Sequence, residues 1–100
     1  MNDSLFEELL IDVCRNEIDI VLVMAKNFPE ILHRVGESGL TMLHLASYGG
    51  HVELVKVLID LGANVNQVSN EGLGPLEFAV SKQRMDVIDL LLSRGATFVK

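Results

Sequence analysis

Three histidines, one cysteine and several pairs of carboxylates are the residues of this chain whose types could do chemistry. His33, His44 and His51 would suit a metal ion, but they fall on different repeat units or different elements. No cysteine or carboxylate completes a zinc-like spacing around them, so the expectation is no metal and no cofactor. His44 reads instead as part of a turn and His51 as a helix-start residue. Cys14, the only cysteine, would be a nucleophile if basic surroundings held it as thiolate. It sits in an apolar helical stretch with no basic cluster, and a buried structural thiol is expected. Glu7/Glu8, Asp12/Asp19 and Asp86/Asp89 resemble acid–base pairs only on paper. Asp86 and Asp89 lie three apart on a helix whose other face carries Val87, Leu90 and Leu91, so a solvated face accounts for them. Gly72 and Gly74 lack the third glycine and the preceding parallel strand of a nucleotide-binding loop. No convergent pocket chemistry emerges, and the expectation is that the chain is not an enzyme.

Composition narrows the remaining classes. With 100 residues, 49% of them apolar, the chain makes one globular domain. Four Phe, one Tyr and no Trp leave burial to aliphatic side chains. Eight Lys and Arg against fourteen Asp and Glu give a net charge of −6. That balance argues against nucleic acid, whose phosphates must be neutralised by cations, and favours a partner with a basic face. A single cysteine excludes an internal disulfide. The first residues, Met1 to Glu8, lack the positive charge and apolar run of a signal peptide. The longest apolar stretch, Ile20 to Ala25, falls far short of the ~20 residues that span a bilayer. A soluble cytoplasmic protein with no membrane partner is expected.

The elements that must position these residues repeat. Shifting the chain by thirty-three residues places Gly39 on Gly72, Leu40 on Leu73, Leu43 on Leu76 and Ala46 on Ala79. The same shift places Leu58 on Leu91, Gly62 on Gly95 and Ala63 on Ala96. Apolar character persists between, as in Val55/Ile88 and Ile59/Leu92. Within one unit, Thr41 to Tyr48 reads as a short helix stopped by Gly49-Gly50. His51 to Leu61 carries Val52, Val55, Leu58 and Ile59 at helical spacing and stops at Gly62. Asn64 to Leu73 suits an extended loop or hairpin. Two short helices and a hairpin cannot close a core alone, so the units must stack into an all-α solenoid of helix-turn-helix units joined by hairpin loops.

Gly39-Leu40-Thr41-Met42-Leu43-His44-Leu45-Ala46, followed by Gly49-Gly50-His51, resembles the ankyrin-repeat signature G-x-T-P-L-H-x-A. Val52 to Ile59 and Gly62-Ala63-Asn64-Val65-Asn66 match its second helix and the start of its hairpin. The resemblance divides the chain into an N-terminal capping unit 1–35, a central unit 36–68 and a C-terminal unit 69–100. The first unit keeps register once one residue is removed near Asn16 and one added near Pro29. In such repeats the Thr and His hydrogen-bond around the turn that opens the first helix, roles that fall to Thr41 and His44. Gly74-Pro75-Leu76-Glu77 has neither residue, so that clasp is expected to be absent or replaced.

The resemblance implies binding of another protein through a concave face made by hairpin tips and the exposed side of the first helices. In the central unit that face comprises Glu37, Ser38, Leu40, Tyr48 and Gly49. In the last unit it comprises Asn70, Glu71, Leu73, Ser81 and Lys82, and in the first Arg15 and Asn16. Tyr48, the only tyrosine, is the expected hot spot. Leu40 and Leu73 equally suit packing between hairpins. A stoichiometric inhibitor, immunity protein or adaptor fits this picture; the rival is a self-assembling unit, a homodimer through its C-terminal end face. There Glu77 and Asp86 read as polar end-face adaptations, whereas Ile88 and Leu92 keep the apolar character of interior positions. Those two aliphatic side chains call for a cover, either a second copy or the tail 96–100.

Overall fold

Residues 2–98 are described by the computed structural model, and every regular element among them is helical. The helices are α1 (Asp3–Cys14), α2 (Ile18–Asn27), α3 (Met42–Gly49), α4 (Val52–Asp60), α5 (Pro75–Ser81) and α6 (Met85–Ser93). Short 3-10 turns occupy Pro29–Leu32 and Glu37–Gly39. The helices pair as α1/α2, α3/α4 and α5/α6, with α3 packed between α1 and α5, and α4 between α2 and α6.

All three pairs turn on one local device. A residue in the left-handed region follows the first helix: Asn16 (φ 59°), Gly50 (φ 73°) and Gln83 (φ 56°). The next N–H then reaches back five residues, from Glu17 to Asp12 O, His51 to Ala46 O and Arg84 to Ala79 O, at 2.9–3.0 Å. These bonds satisfy carbonyls that a helix C-terminus would otherwise leave open. They also fix the register of the units, thirty-four residues from first to second and thirty-three from second to third. The second helices α4 and α6 close in the same way at Gly62 and Gly95. Helix α2 ends without glycine, running through Phe28 into the Pro29–Leu32 turn.

Stacking makes the core. Leu54, Val55 and Leu58 of α4, Val87 and Leu91 of α6, Val13 and Val21 of the first pair, and Ile31 of the Pro29–Leu32 turn are all buried. At about 1.5–3 kcal/mol for each large aliphatic side chain, this shared layer drives the stack together. The ends of the hairpins between pairs are joined by equivalent main-chain bonds, Gly36 N to Leu40 O and Ser69 N to Leu73 O, both 2.8 Å. Tip meets tip where Asn70 N donates to Ser38 O at 2.8 Å.

Two expectations are corrected. Cys14 is exposed rather than buried, because it stands one position past buried Val13, on the side where Tyr48 and Ser81 lie exposed in the other units. Glu77 is half-buried rather than a solvent-facing adaptation: its Oε1 accepts the Gly74 N–H at 2.9 Å. Gly49 is half-buried at the end of α3, where an added Cβ would stand 2.5 Å from His51 Nε2 and the imidazole would have to shift. The tail covers the end face only in part. Ala96 is buried and Thr97 N bonds to Asn66 Oδ1 at 3.0 Å, yet Leu92 remains 47% exposed. Residues 99 and 100 of that tail lie outside the described residues.

Candidate protein-binding face

The face begins at the buried clasp of the central unit. Thr41 caps α3, its Oγ1 accepting the His44 N–H at 3.3 Å, while Thr41 N–H donates to His44 Nδ1 at 3.1 Å. A nitrogen that accepts carries no proton, so Nε2 holds the ring's hydrogen and donates it to Leu73 O at 2.9 Å. The imidazole thereby ties the central unit to the next hairpin. Burial is the main influence holding its pKa below the ordinary 6.5; the Leu73 and Gln67 carbonyls and the Glu77 carboxylate pull the other way. In the last unit Glu77 performs the clasp alone, and Pro75 at the first helical position needs no N–H partner.

From this clasp a row of rings leads to the surface. His44 and Phe78 meet edge to face with centroids 5.1 Å apart, and Phe78 meets Tyr48 in the same way at 6.1 Å. Lys82 Nζ lies 5.0 Å from the Tyr48 ring centroid, a cation–π contact. Tyr48, Ser81 and Lys82 therefore form one cluster at the ends of α3 and α5. Glu37, Ser38, Asn70 and Glu71 form a second at the hairpin tips, all exposed. Leu73 is 37% exposed at the base of its hairpin, and Leu40 is half-buried beside α1. Arg15 and Asn16 are exposed at the end of α1.

Sequence reasoning missed two features of this face. Phe78 replaces Leu45 at the equivalent position and backs Tyr48; the aromatic substitution was the available signal. The residues opening α4 and α6 also reach back to the preceding unit. His51 Nε2 donates to Cys14 O at 3.0 Å, and Arg84 Nε donates to Tyr48 O at 3.1 Å. Cys14 and Tyr48 occupy equivalent positions, so chemically different side chains perform one task.

A cleft of about 550 Å³ opens at the other end of the face, between α1 and the first hairpin. Phe6, Leu10, Ile11, Val35, Leu40 and Leu45 provide its apolar lining. Asp3, Glu7, Glu37 and Arg34 supply its charges, with Arg34 paired to Asp3 and set 4.8 Å over the Phe6 ring. Among the described residues no group of three or more His, Cys, Asp or Glu is arranged to hold a metal ion, and no helix is long and apolar enough to cross a membrane.

Comparison with known proteins gives a consistent result. Residues 4–100 match the family model described as ankyrin repeats, in three copies. The chain is 45% identical over 56 residues to transient receptor potential cation channel subfamily A member 1 of Homo sapiens, covering 56% of this chain and 5% of that protein. It is 35% identical over 78 residues to BCL-6 corepressor-like protein 1 of Homo sapiens, covering 78% and 4% respectively. With protein phosphatase 1 regulatory subunit 27 of Mus musculus it shares 38% identity over 65 residues, covering 65% and 42%. The chain thus spans less than half the length of each of these relatives.

Proposed function

The chain belongs to the ankyrin-repeat family, and from that premise we propose that it binds another protein through its hairpin tips and first-helix ends, as an inhibitor, immunity protein or adaptor. Ankyrin repeats generally mediate protein–protein interaction. The observation that carries the reading is Tyr48: 44% exposed, backed by Phe78, stacked with Lys82, and surrounded by side chains the core does not need. Units 1–35, 36–68 and 69–100 would present this face together. The net charge of −6 and the carboxylates Glu37 and Glu71 at the tips favour a partner with a basic surface, in a cytoplasmic setting. Protein phosphatase 1 regulatory subunit 27 is by its name a regulatory subunit, which supports a regulatory rather than catalytic role here. The test is Tyr48→Ala against a captured partner: affinity falls by about 2 kcal/mol or more while the melting temperature barely moves. Unchanged affinity removes Tyr48 from the interface.

A second reading is self-assembly through the C-terminal end of the stack. Met85 is 63% exposed and Leu92 47% exposed, whereas their central equivalents Val52 and Ile59 are half-buried. A contact between two such ends is isologous and closes at a dimer. Light scattering on the wild type and on Met85→Gln/Leu92→Gln decides it: a dimer that the double substitution dissociates supports this reading, and a monomeric wild type defeats it.

A further inference from the structure

The cleft beside α1 exists because one hairpin is replaced by helix. Register set by Asn16, Gly50 and Gln83 makes residues 3–7 equivalent to 37–41, which form the turn and helix cap of the central unit. In the first unit those positions are already helix: Asn2 caps α1, its Oδ1 accepting the Leu5 N–H at 2.8 Å, and Asp3 favours the helix N-terminus. The first hairpin therefore has no neighbouring tip on its α1 side. At the other junction Asn70 N–H donates to Ser38 O of the preceding tip. The equivalent donor here, Glu37 N–H, has no acceptor among the described residues.

We infer that this cleft binds an extended, basic and apolar peptide segment of the partner, an inference that rests on the protein-binding role above. Each property follows from an observation. The segment is extended because the Glu37 N–H, exposed at the first hairpin, is open to a main-chain carbonyl as Asn70 N–H is to Ser38 O, and a helix uses its carbonyls internally. It carries an apolar side chain because Phe6, Leu10, Ile11, Val35 and Leu40 line the cleft, whose 550 Å³ is ample for one. It is basic because Glu7 and Glu37 flank the opening with no ion pair among the described residues, the Arg34 guanidinium already being paired to Asp3. The tip-to-tip bond between Asn70 and Ser38 shows what this chain places in such a position where it has a hairpin of its own.

The test uses a fluorescein-labelled peptide of alternating Lys and Leu, about eight residues long, and its Glu/Leu counterpart. The Lys/Leu peptide binds and the Glu/Leu peptide does not. Ile11→Ser, at a position 52% exposed and so neutral to folding, weakens binding about tenfold. Glu7→Gln/Glu37→Gln weakens it about threefold at low salt, and the difference disappears near ~1 M salt. Asp86→Asn/Asp89→Asn removes as much charge from α6 and leaves affinity unchanged. In the complex the Glu37 amide gains protection from hydrogen exchange. Equal binding of both peptides, indifference to Ile11→Ser, or an unprotected Glu37 amide overturns the inference. So does protection that rises with protein concentration alone, which would put a second copy in the cleft. A natural partner weakened by Tyr48→Ala but not by Ile11→Ser would overturn the cleft while leaving the broader role standing.

Discussion

His44 does the most specific work of any single residue, because its two ring nitrogens hold opposite roles. Nδ1 must accept from Thr41 N–H and Nε2 must donate to Leu73 O, an arrangement only the neutral ring satisfies. Burial holds the folded-state pKa below 6.5, with Glu77 and the two carbonyls opposing. Between that depressed value and 6.5 the unfolded chain carries a proton that the folded chain lacks, so stability rises with pH across that window. The contribution is complete above 6.5 and is lost as pH falls, with a slope of at most ~1.4 kcal/mol per pH unit. Urea midpoints measured from about pH 5 to pH 7.5 are expected to climb in the wild type, with that component missing from His44→Asn. An identical pH dependence in both proteins would take His44 out of the account. The Thr41–His44 half of this clasp was legible in the sequence because its two residues lie three apart; the bond to Leu73 O, twenty-nine residues away, was not. The exposure of Cys14 was not, since apolar neighbours along a helix say nothing about which side of it a given residue occupies.

The helix-closing turn shows how one element geometry tolerates several sequences. Glycine marks it only at Gly50; Asn16 and Gln83 adopt the same left-handed backbone without that signal. A Cβ in this region costs roughly 1–2 kcal/mol, partly offset because glycine also loosens the unfolded chain. Gln83→Gly is therefore expected to stabilise by about 0.5–1 kcal/mol, and Gly50→Ala to destabilise by about 1–2 kcal/mol. The latter is the worse because its Cβ would stand 2.7 Å from Arg84 Cδ and disturb the bond from Arg84 to Tyr48 O. Denaturant midpoints at constant slope check both. Helix α1 teaches the complementary lesson. It starts at Asp3 behind the capping Asn2, and the cleft depends on what that extra turn displaces, which becomes visible only once the units are superimposed.

Across the whole molecule, the period of thirty-three was legible because the core repeats its Leu, Ala and Gly residues in register. The bonds between units were not, and their chemistry explains why. His51 ends on Cys14 O, Arg84 on Tyr48 O, His44 on Leu73 O, and Asn66 on both Gly95 O and Thr97 N. Every one of these partners is main chain, so the receiving residue leaves no mark in its side-chain identity; the exception between units is the exposed ion pair of Arg94 with Asp60 at 2.6 Å. Among the described residues each bond also stops at the adjacent unit.

Main-chain partners are supplied by any amino acid, and that makes the molecule extensible. If residues 36–68 were written twice in tandem, the new His51 would meet the carbonyl of the old Tyr48, as Arg84 does now. The old His44 would meet the carbonyl of the new Leu40, which takes the place of Leu73. Old Asn66 would find Gly62 O and Asn64 N where it now finds Gly95 O and Thr97 N. These main-chain bonds would receive the added unit without a change of side chain, although Leu61, Leu45 and Gly49 would stand where Arg94, Phe78 and Lys82 now meet Asp60 and Tyr48. The lengthened protein is expected to unfold in a single transition at a higher temperature than the parent, by calorimetry, because its inner unit is covered on both sides. A lower or divided transition would mean that side-chain matching, rather than the backbone, decides which units can adjoin. Growth by gene duplication is thus built into the way one unit holds the next.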